Sequence, residues 1–334
     1  MLFINGRANI FTENFIPDKI LHREEQIQEI EKVFKNFSNN LLLMGNSGSG
    51  KTSSIKFLMK KYYGSYTYVQ AQKTSMKTLK ELSGLRYRDY GDIFNEFTDQ
   101  LLNSPKIIII DELNKIKDIS DMFDYLNAIY RKTNSPIILI SNDPQTIGKM
   151  PNDAKLTLFL QRVTFNSYDA NELYSIAIDR LKMINIEEKF PEASLRYICA
   201  KVASTDNSAR NVLSLVFKCI IENDFSLDFI DSLGKKMQEE DWTNWTTSLK
   251  EIEKNLLDVL IDISIKNIGK EIISSDLYSS LSNLSPQRIS QLITFFVNNG
   301  ILVTKDRNLG RKGGRVRIIE FSSPEIFNKL VGAL

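Results

Sequence analysis

The sequence predicts an α/β fold with a parallel sheet, followed by a helical segment and a C-terminal winged-helix domain. Continuous apolar runs at 41–44, 107–110 and 136–140 are typical of parallel strands that are buried on both faces. The first run leads through a glycine-rich turn into an amphipathic segment, which indicates a strand-turn-helix unit. Residues 285–321 read as a helix followed by a hairpin with a basic, glycine-rich loop, which favours a winged helix.

Composition and charge exclude several classes of protein. The chain has 334 residues, of which 42% are hydrophobic and 25% charged, and this is ordinary for a soluble globular protein of two or three domains. Its net charge of +2 gives no overall preference for an acidic partner. The chain contains no run of 18 apolar residues and no export signal, so we expect a cytoplasmic protein without a membrane partner.

Cysteine and histidine usage limits the chemistry further. Cys199 and Cys219 lie in apolar helical patterns, so we expect two buried thiols in a reducing compartment. His22 is the only histidine, which excludes a multi-histidine metal site and leaves one residue for any histidine-based catalysis.

The glycine-rich turn is a predicted phosphate-binding loop. It reads Gly-Asn-Ser-Gly-Ser-Gly-Lys-Thr over residues 45–52 and lies between a buried strand and a helix, the context that this pattern requires. Glycines let backbone N–H groups surround an anion, and the helix N-terminus adds partial positive charge. Lys51 is expected to reach the β- and γ-phosphates of ATP, and the Thr52 hydroxyl to bind Mg²⁺. The predicted loop contacts are Asn46, Ser47, Gly48, Ser49, Gly50, Lys51, Thr52 and Ser53.

Polar residues follow the other two apolar runs. The run at 107–110 ends in Asp111 and Glu112, and ligands of doubly wound sheets bind at the carboxyl ends of strands. We expect Asp111 to hold Mg²⁺ and Glu112 to orient the water that attacks the γ-phosphate. Asn142 follows the run at 136–140 and is expected to sense the γ-phosphate, although Asn-Asp-Pro is also a favourable turn sequence. A further strand at 66–69 completes a sheet in which we expect the phosphate-binding strand to be central.

In order and spacing, these motifs resemble the AAA+ superfamily, and more narrowly the archaeal initiator ATPases of the origin-recognition and cell-division-control type. The resemblance covers about residues 10–325. Residues 14–26 are similar to the family's Tyr-x-Pro…Pro-His-Arg-Glu-x-Gln segment, which borders the adenine. Asn-Ser-Tyr-Asp-Ala at 166–170 is similar to the lid entry, and Ser-Ala-Arg at 208–210 is similar to the second-sensor box.

The resemblance implies three domains: an AAA+ ATPase core with a parallel sheet at 1–165, a helical lid at 166–236 and a winged-helix DNA-binding domain at 245–334. The polar, poorly periodic segment 237–248 is interpreted as a hinge before the last domain.

The resemblance also implies roles for single residues outside the loop. Ile16, Arg23, Tyr168 and Arg180 are expected to border the nucleotide, and Arg210 to reach the γ-phosphate from the lid. Each arginine and the tyrosine also fits an ordinary structural role. Arg23 can staple the N-terminal arm, Tyr168 can be a core aromatic, and the other two can be surface charges.

One position departs from the family pattern. Counting from Ser141, the family has an arginine twelve residues later that can reach a neighbour's nucleotide, and here that position is Asp153. Because an arginine finger can raise hydrolysis by several orders of magnitude, we expect slow ATP hydrolysis. The usual Gly-Asp of the second sensor is also replaced, by Asn207-Ser208.

Basic residues of the C-terminal domain are concentrated in one segment. Seven occur between Arg288 and Arg317, with the single acid Asp306, although 245–334 as a whole has twelve basic and nine acidic residues. This distribution predicts contact with the phosphates of duplex DNA, and Gln287 and Arg288 at a helix N-terminus are expected to reach base edges. The alternative is a winged helix that binds protein and has a solvated basic hairpin. The predicted DNA contacts are Gln287, Arg288, Lys305, Arg307, Arg311, Lys312, Gly313, Arg315 and Arg317.

The motifs together predict a replication initiator that binds origin-like duplex DNA, hydrolyses ATP slowly, and helps recruit or load the replicative helicase. We expect ATP/ADP and Mg²⁺ as cofactors, a monomer or a DNA-assembled oligomer, and association with the nucleoid. One alternative is a nucleotide-switched regulator of transcription or of a mobile element, which Asp153 favours because turnover is then unimportant. Another is a branch-migration-type AAA+ motor, which needs a ring and an effective arginine in trans.

Overall fold

A computed structural model describes residues 8–12, 14–86, 89–205, 207–266, 271–282, 284–308 and 315–333. These residues belong to two compact units, Met1–Asp231 and Ser232–Leu334. Among the described residues, no helix combines the length and apolar composition needed to cross a membrane.

The first unit alternates strands and helices before it becomes purely helical. Its strands are β1 (Leu41–Gly45), β2 (Tyr66–Gln70), β3 (Ile107–Asp111), β4 (Ile137–Ser141) and β5 (Gln161–Phe165). Its helices are α1 (Glu24–Asn36), α2 (Lys51–Lys61), α3 (Ser75–Ser83), α4 (Tyr90–Asn103), α5 (Ile119–Thr133), α6 (Pro144–Gly148), α7 (Asn152–Leu158), α8 (Ala170–Lys182), α9 (Glu192–Ala203) and α10 (Ala209–Glu222). Helix α11 (Leu227–Ser248) begins in the first unit and ends in the second. Short 3-10 helices cover Ala8–Phe11, Leu113–Lys115 and Glu187–Lys189.

The five strands form one parallel sheet in the order β2-β3-β4-β1-β5. The phosphate-binding strand β1 is therefore interior, but the middle strand is β4, which corrects the expectation that β1 is central. Because the strands are parallel, the carboxyl ends of β1, β3 and β4 lie along the same edge of the sheet. Gly45, Asp111 and Ser141 mark that edge.

The sheet separates two apolar cores, because successive residues of a strand point to opposite faces. In β3, Ile108 and Ile110 belong to one core, and Ile107 and Ile109 belong to the other. All four side chains are fully buried, which explains why the strand reads as a continuous apolar run. Burial of each isoleucine contributes about 1.5–3 kcal/mol to folding.

Sequence patterns alone miss β5 because it is an edge strand with little apolar content. Only Val163 and Phe165 are buried in it, and its other three residues are exposed. This alternation is too short to stand out from the polar segments around it.

A polar motif fixes the start of α8, directly after the sheet. The Asp169 carboxylate accepts bonds from the backbone N–H groups of Asn171 and Glu172, both at 2.8 Å. In return, Glu172 Oε2 accepts a bond from the Asp169 N–H at 3.0 Å, which completes a capping box. Helices α8, α9 and α10 pack together after this point.

The structure corrects the interpretation of residues 237–248 as a hinge. They lie within α11, which is helical from Leu227 to Ser248. Polar composition without a Pro or Gly breaker is compatible with helix as well as with linker, so composition alone does not distinguish the two. The predicted domain boundaries at 165, 236 and 245 stay predictions.

The second unit has the order of elements predicted for a winged helix. It contains α12 (Glu251–Lys266), β6 (Ile272–Ile273), α13 (Ser274–Ser280), α14 (Pro286–Asn298), β7 (Leu302–Asn308), β8 (Arg315–Phe321) and α15 (Pro324–Ala333). The strands form an antiparallel sheet in the order β6-β8-β7. Residues 272–273 form a short strand directly before α13, and 305–307 belong to β7.

The unit has its own apolar core, which explains how it forms a compact body. Leu256, Leu260, Ile289 and Phe296 are fully buried in that core, and their helical spacing places them on one face of α12 and of α14. Ser285 caps α14 by accepting a bond from the Arg288 N–H at 3.3 Å, and Pro286 occupies the first helical position.

Candidate functional site

A cavity of about 350 Å³ opens at the carboxyl edge of the parallel sheet. Its volume is within the range of small-molecule sites in proteins. Its wall is formed by the N-terminal arm, which is the part of the chain before α1, by the phosphate-binding loop and the start of α2, by the ends of β2, β3 and β4, and by helices α8 and α10. The predicted site residues that line it are Ser47, Gly48, Ser49, Gly50, Lys51, Thr52, Ser53, Asp111, Glu112, Asn142, Tyr168, Arg180 and Arg210.

Lys51 is held against its own loop. Its ammonium donates to the carbonyl oxygens of Gly45 and Asn46, both at 2.7 Å, and the residue is 8% exposed. Burial lowers the pKa of Lys51, nearby Asp111 opposes that change, and Arg210 adds to it. A phosphate at this position would give the buried cation a charged partner in place of two neutral carbonyl groups, which favours anion binding.

At Gly48, the phosphate-binding loop lies very close to the start of helix α10. A Cβ on this residue would lie 2.1 Å from Ser208 Oγ, and its φ of +74° is a conformation that favours glycine. Ser208 is the N-cap of α10, the helix whose first turn carries Arg210. The contact between Gly48 and the Ser208 side chain therefore brings the loop close to the first turn of α10, which carries Arg210.

Thr52 and Asp111 place two oxygen donors together at the cavity wall. Thr52 Oγ1 donates to Asp111 Oδ2 at 2.8 Å, and Asp111 is 2% exposed. The backbone N–H of Glu112 donates to Asp111 Oδ1 at 2.8 Å, which fixes the carboxylate. A hydroxyl beside a carboxylate suits a hard cation such as Mg²⁺, which takes few protein ligands when phosphates supply the others. Thr52 and Asp111 therefore fit the predicted metal role.

Tyr68 is a member of this group that sequence patterns did not identify. Its hydroxyl donates to Asp111 Oδ2 at 3.2 Å, and it lines the cavity. Burial raises the pKa of Tyr68, and the nearby Asp111 carboxylate raises it further, so the hydroxyl stays protonated and remains a donor. Its only sequence signal is its position on the strand next to β3.

Glu112 and Asn142 lie at the ends of neighbouring strands, as their positions predicted. Glu112 has a φ of +54°, and its Oε2 accepts a bond from Gln70 Nε2 at 2.5 Å. The Lys115 ammonium contacts the same oxygen. Asn142 is exposed at the cavity wall directly after β4. Both side chains therefore lie at the wall of the cavity, at the carboxyl ends of β3 and β4.

Arg23 does not line the cavity. It connects the phosphate-binding loop to the segment that precedes α8. Its Nε donates to Ser49 O at 2.9 Å, its Nη2 donates to Asn166 O at 2.7 Å, and its guanidinium lies 3.7 Å from the ring centre of Tyr168. Burial lowers the pKa of Arg23. This is the staple that the sequence left open as an alternative.

Two more predicted contacts lie outside the cavity wall. Ile16 is half-buried next to it, and Asn46 is exposed, with its amide donating to Ser167 Oγ at 3.1 Å. The wall instead takes Phe15 and Ile20 from the N-terminal arm. Nucleotide contacts by Ile16 and Asn46 stay predictions.

Another part of the cavity wall is apolar and contains one buried cation, Arg180. Arg180 is 9% exposed, lies 5.0 Å from the ring centre of Phe15, and has an Nε without a hydrogen-bond partner among the described residues. Burial lowers its pKa, and the neighbouring Asp179 opposes that change. Phe11 stacks on Phe217 of α10 at 5.6 Å, which anchors the arm. The arm aromatics give no periodic pattern, so sequence analysis did not identify them.

The residue at the arginine-finger position has an internal partner. Asp153, in α7, accepts a hydrogen bond from the side-chain amide of Asn127 at 2.9 Å. Asn127 lies in α5 and is 5% exposed. Asp153 thus stabilises the contact between two helices of its own unit.

The candidate DNA contacts of the second unit fall into two groups. Gln287 and Arg288 are exposed in the first turn of α14, and Arg288 donates to Gln291 Oε1 at 3.1 Å. The residues Lys305, Arg307 and Arg317 lie on the strands of the hairpin and pair with acidic side chains. Arg311, Lys312 and Gly313 lie outside the described residues, as does the side chain of Arg315, which begins β8.

Comparison with known proteins agrees with this geometry. The AAA family, described as the ATPase family associated with various cellular activities, matches residues 41–154. An ORC1-type DNA replication protein of Picrophilus torridus is 25% identical over 96% of this chain and 88% of its own length. ORC1-type DNA replication protein 2 of Thermoplasma acidophilum is 24% identical over 93% of this chain and 87% of its own length.

Among solved structures, the ORC1 protein of Aeropyrum pernix, determined in complex with DNA, has the same fold. It superimposes with a TM-score of 0.75 at 17% identity, over 97% of this chain and 96% of that protein. The resemblance predicted from the sequence motifs is thereby confirmed. Residues 41–154 are similar to the AAA family, in a chain that is similar over nearly its whole length to archaeal ORC1-type DNA replication proteins.

Proposed function

We propose that this protein is an ATP-dependent initiator of DNA replication that binds origin duplex DNA and helps recruit or load the replicative helicase. The observation that carries the proposal is the cavity in which Lys51, Thr52, Asp111 and Arg210 converge, in a chain similar to proteins named for DNA replication. The same protein would be a monomer or an oligomer assembled on DNA, associated with the nucleoid.

ATP would bind with its phosphates in the loop and its base against the arm. Lys51 and Arg210 would neutralise the β- and γ-phosphates, and the apolar wall with Phe15 and Tyr168 would contact the base. Thr52 and Asp111 would hold Mg²⁺, which supplies charge neutralisation during phosphoryl transfer. The 2.8 Å contact between these two side chains supports that role.

Hydrolysis would proceed by in-line attack of a water on the γ-phosphate. Glu112 would orient this water and accept its proton, and Asn142 would hydrogen-bond the water and the phosphate. We propose slow turnover, because Asp153 at the arginine-finger position is bonded to Asn127 and brings a negative rather than a positive charge. Turnover per molecule would then not rise with protein concentration.

Duplex DNA is the proposed partner of the second unit. Two observations support this proposal: the exposed first turn of α14 with Gln287 and Arg288, and the DNA complex of the structurally similar ORC1 protein. The proposed domains are the ATPase core at 1–165, the lid at 166–236 and the DNA-binding domain at 245–334.

A second candidate function is a nucleotide-switched regulator of transcription or of a mobile element. The Asp153–Asn127 bond favours it, because a protein without an arginine finger can use ATP for conformation alone. Position-specific binding at an origin and contact with helicase subunits would distinguish the initiator from the regulator.

The deciding experiment is binding to a pool of random and genomic duplexes, with ATP and with ADP, at two salt concentrations. Arg288→Ala and Arg311→Ala/Arg315→Ala are compared with wild type, and Lys266→Ala serves as a control because this exposed cation belongs to α12. We expect one repeated motif to be enriched, and R311A/R315A to weaken binding across all sequences with a shallower salt dependence. Absence of duplex binding at moderate salt would overturn the proposal of DNA recognition.

A further inference from the structure

The hairpin of the second unit contains three basic side chains whose positions are described, and each has an acidic partner. We call Lys305, Arg307 and Arg317 the hairpin cations. Arg307 donates to both oxygens of Glu271, at 2.7 and 2.8 Å. Lys305 pairs with Glu320 at 2.9 Å, and Arg317 lies 3.7 Å from Asp306.

Strand geometry places these cations on both faces of the hairpin. Lys305 and Arg307 are two residues apart in β7 and therefore share a face. Asp306 points to the other face, where it lies directly opposite Arg317 of β8. The Asp306–Arg317 pair therefore follows from the register of the two strands, whereas Arg307 reaches Glu271 outside the hairpin.

The acidic partners lie at the surface, where an approaching polyanion would meet them. The side chains of Glu271, Glu320 and Asp306 are 40–44% exposed. Arg288, at the start of α14, differs because its guanidinium donates to the neutral amide oxygen of Gln291. A phosphate that bonds Arg288 displaces a neutral group, whereas a phosphate that bonds Arg307 must displace a bidentate carboxylate.

We infer that Glu271 and Glu320 lower the affinity of this protein for duplex DNA of arbitrary sequence, by holding Arg307 and Lys305 in ion pairs that compete with phosphate. This inference rests on the proposed function, since it assumes that the hairpin faces DNA. Phosphate contacts supply most of non-specific affinity, so cations held by carboxylates contribute less to it than the sequence count of basic residues suggests. The acidic partners thereby favour DNA sites that the protein recognises through contacts other than those of Arg307 and Lys305 with phosphate.

The test measures binding of the full chain to a duplex of random sequence, from about 50 to about 200 mM salt. Glu271→Gln frees Arg307, and we expect affinity at low salt to rise about twofold to fivefold, the range for one exposed ion pair. The slope of log K against log salt should become steeper by up to about 0.9, the value for one new phosphate contact. Glu320→Gln should act in the same way through Lys305.

Two further variants separate a local effect from a general change of charge. Arg307→Gln alone should change affinity by less than about twofold, and Glu271→Gln/Arg307→Gln should return to the wild-type value. Asp262→Asn is the matched control, because this exposed carboxylate pairs with Lys266 of α12 rather than with a hairpin cation. It should leave both affinity and slope unchanged, and melting curves verify that every variant is folded.

Each outcome is decisive. An unchanged affinity and slope in E271Q would overturn the inference while the proposed function stands. A gain that persists in E271Q/R307Q would also overturn it, because the gain would then arise from lost negative charge rather than from a freed arginine. Failure of the wild type to bind duplex at any salt would overturn the proposed function itself, and the inference with it.

Discussion

The side-chain amide of Gln70 donates a hydrogen bond to the carboxylate of Glu112, with 2.5 Å between Nε2 and Oε2. Lys115 contacts the same carboxylate oxygen. Gln70 ends β2 and Glu112 follows β3, so the pairing of two neighbouring strands brings these side chains together. The residue proposed to orient the attacking water is therefore held from two sides.

Substitution of Glu112 separates catalysis from nucleotide binding. Glu112→Gln keeps the shape of the side chain but cannot accept a proton, so we expect steady-state ATP turnover to fall by about 10²-fold or more. The affinity for ATP should stay within about threefold of wild type, since the proposed phosphate contacts come from other residues. Turnover within threefold of wild type would contradict the role assigned to Glu112.

Gln70→Ala tests the contact from the other side. Lys115 remains in place, and loss of one of the two restraints lets Glu112 reach the water more often, so we expect turnover to rise about threefold. The measurement is single-turnover hydrolysis with saturating ATP. A fall as large as that of E112Q would mean instead that Gln70 is needed to position the carboxylate.

Lys51→Met should weaken nucleotide binding. It removes the ammonium that would move from the Gly45 and Asn46 carbonyl groups to the phosphates, and a charged hydrogen bond of this kind contributes about 2 kcal/mol, roughly thirtyfold in affinity. Lys56→Met is the matched control, because Lys56 also lines the cavity but is half-buried, five residues further along α2. Calorimetric titration with ATP should distinguish the two. Equal losses of ATP affinity in K51M and K56M would indicate a general electrostatic effect.

Gly48→Ala should lower the folding stability more than Gly64→Ala does. Both residues have positive φ, +74° and +87°, so a Cβ costs about 1–2 kcal/mol of folding free energy at either position. Only at Gly48 would the new Cβ meet another residue, Ser208, whereas at Gly64 it would meet nothing within 4 Å. We expect G48A to be the less stable in urea denaturation and to bind ATP more weakly. An equal loss of folding stability in both variants would show that the loop adjusts to the Gly48–Ser208 contact without loss of free energy.

Glu31 makes the stability of the first unit depend on pH. It accepts bonds from Lys61 at 2.6 Å and from Lys35 at 3.0 Å, and these bonds lower the pKa of Glu31 to about 2. The folded state therefore holds this proton less tightly than the unfolded chain. The contribution of Glu31 is fully present above pH 4.5 and is lost as the pH falls from about 4.5 to about 2.

Glu31→Gln should accordingly be less stable than wild type at pH 7 by about 1 kcal/mol, since the lysine partners are more than half exposed. The difference should shrink to near zero as the pH approaches 2. Glu29→Gln on the same helix is the control, because its pair with Lys32 at 2.5 Å is more exposed, and we expect a change below about 0.5 kcal/mol. Urea denaturation at pH 7 and at pH 3 measures the stability of both variants relative to wild type. A difference that does not depend on pH would contradict the ionic origin.

Local patterns were sufficient for the strands that carry the site. Four continuous or nearly continuous strand signals, the glycines of the loop and the polar residues at strand ends depend on residues close together in the chain. They therefore predicted the positions of Lys51, Asp111 and Asn142 at one edge of the sheet. Burial of Cys199 and Cys219, expected from helical spacing, is likewise confirmed, and burial raises the pKa of both thiols.

Contacts between distant residues could not be predicted from such patterns, because they depend on how elements pack. The Tyr68 hydroxyl reaches Asp111 only after β2 and β3 pair, and Arg23 reaches Ser49 only when the arm folds against the loop. The edge strand β5 and the helical course of 237–248 were missed for a related reason: short or polar segments take their conformation from their neighbours.

Charge gives the clearest example of this division. Sequence alone placed an excess of basic residues in the hairpin, since a count needs no coordinates. It could not show that Arg307 is bonded to Glu271, which is 36 residues away in the chain. An ion pair depends on distance in space, and that distance is set by the register of the strands and the packing of the core beneath them.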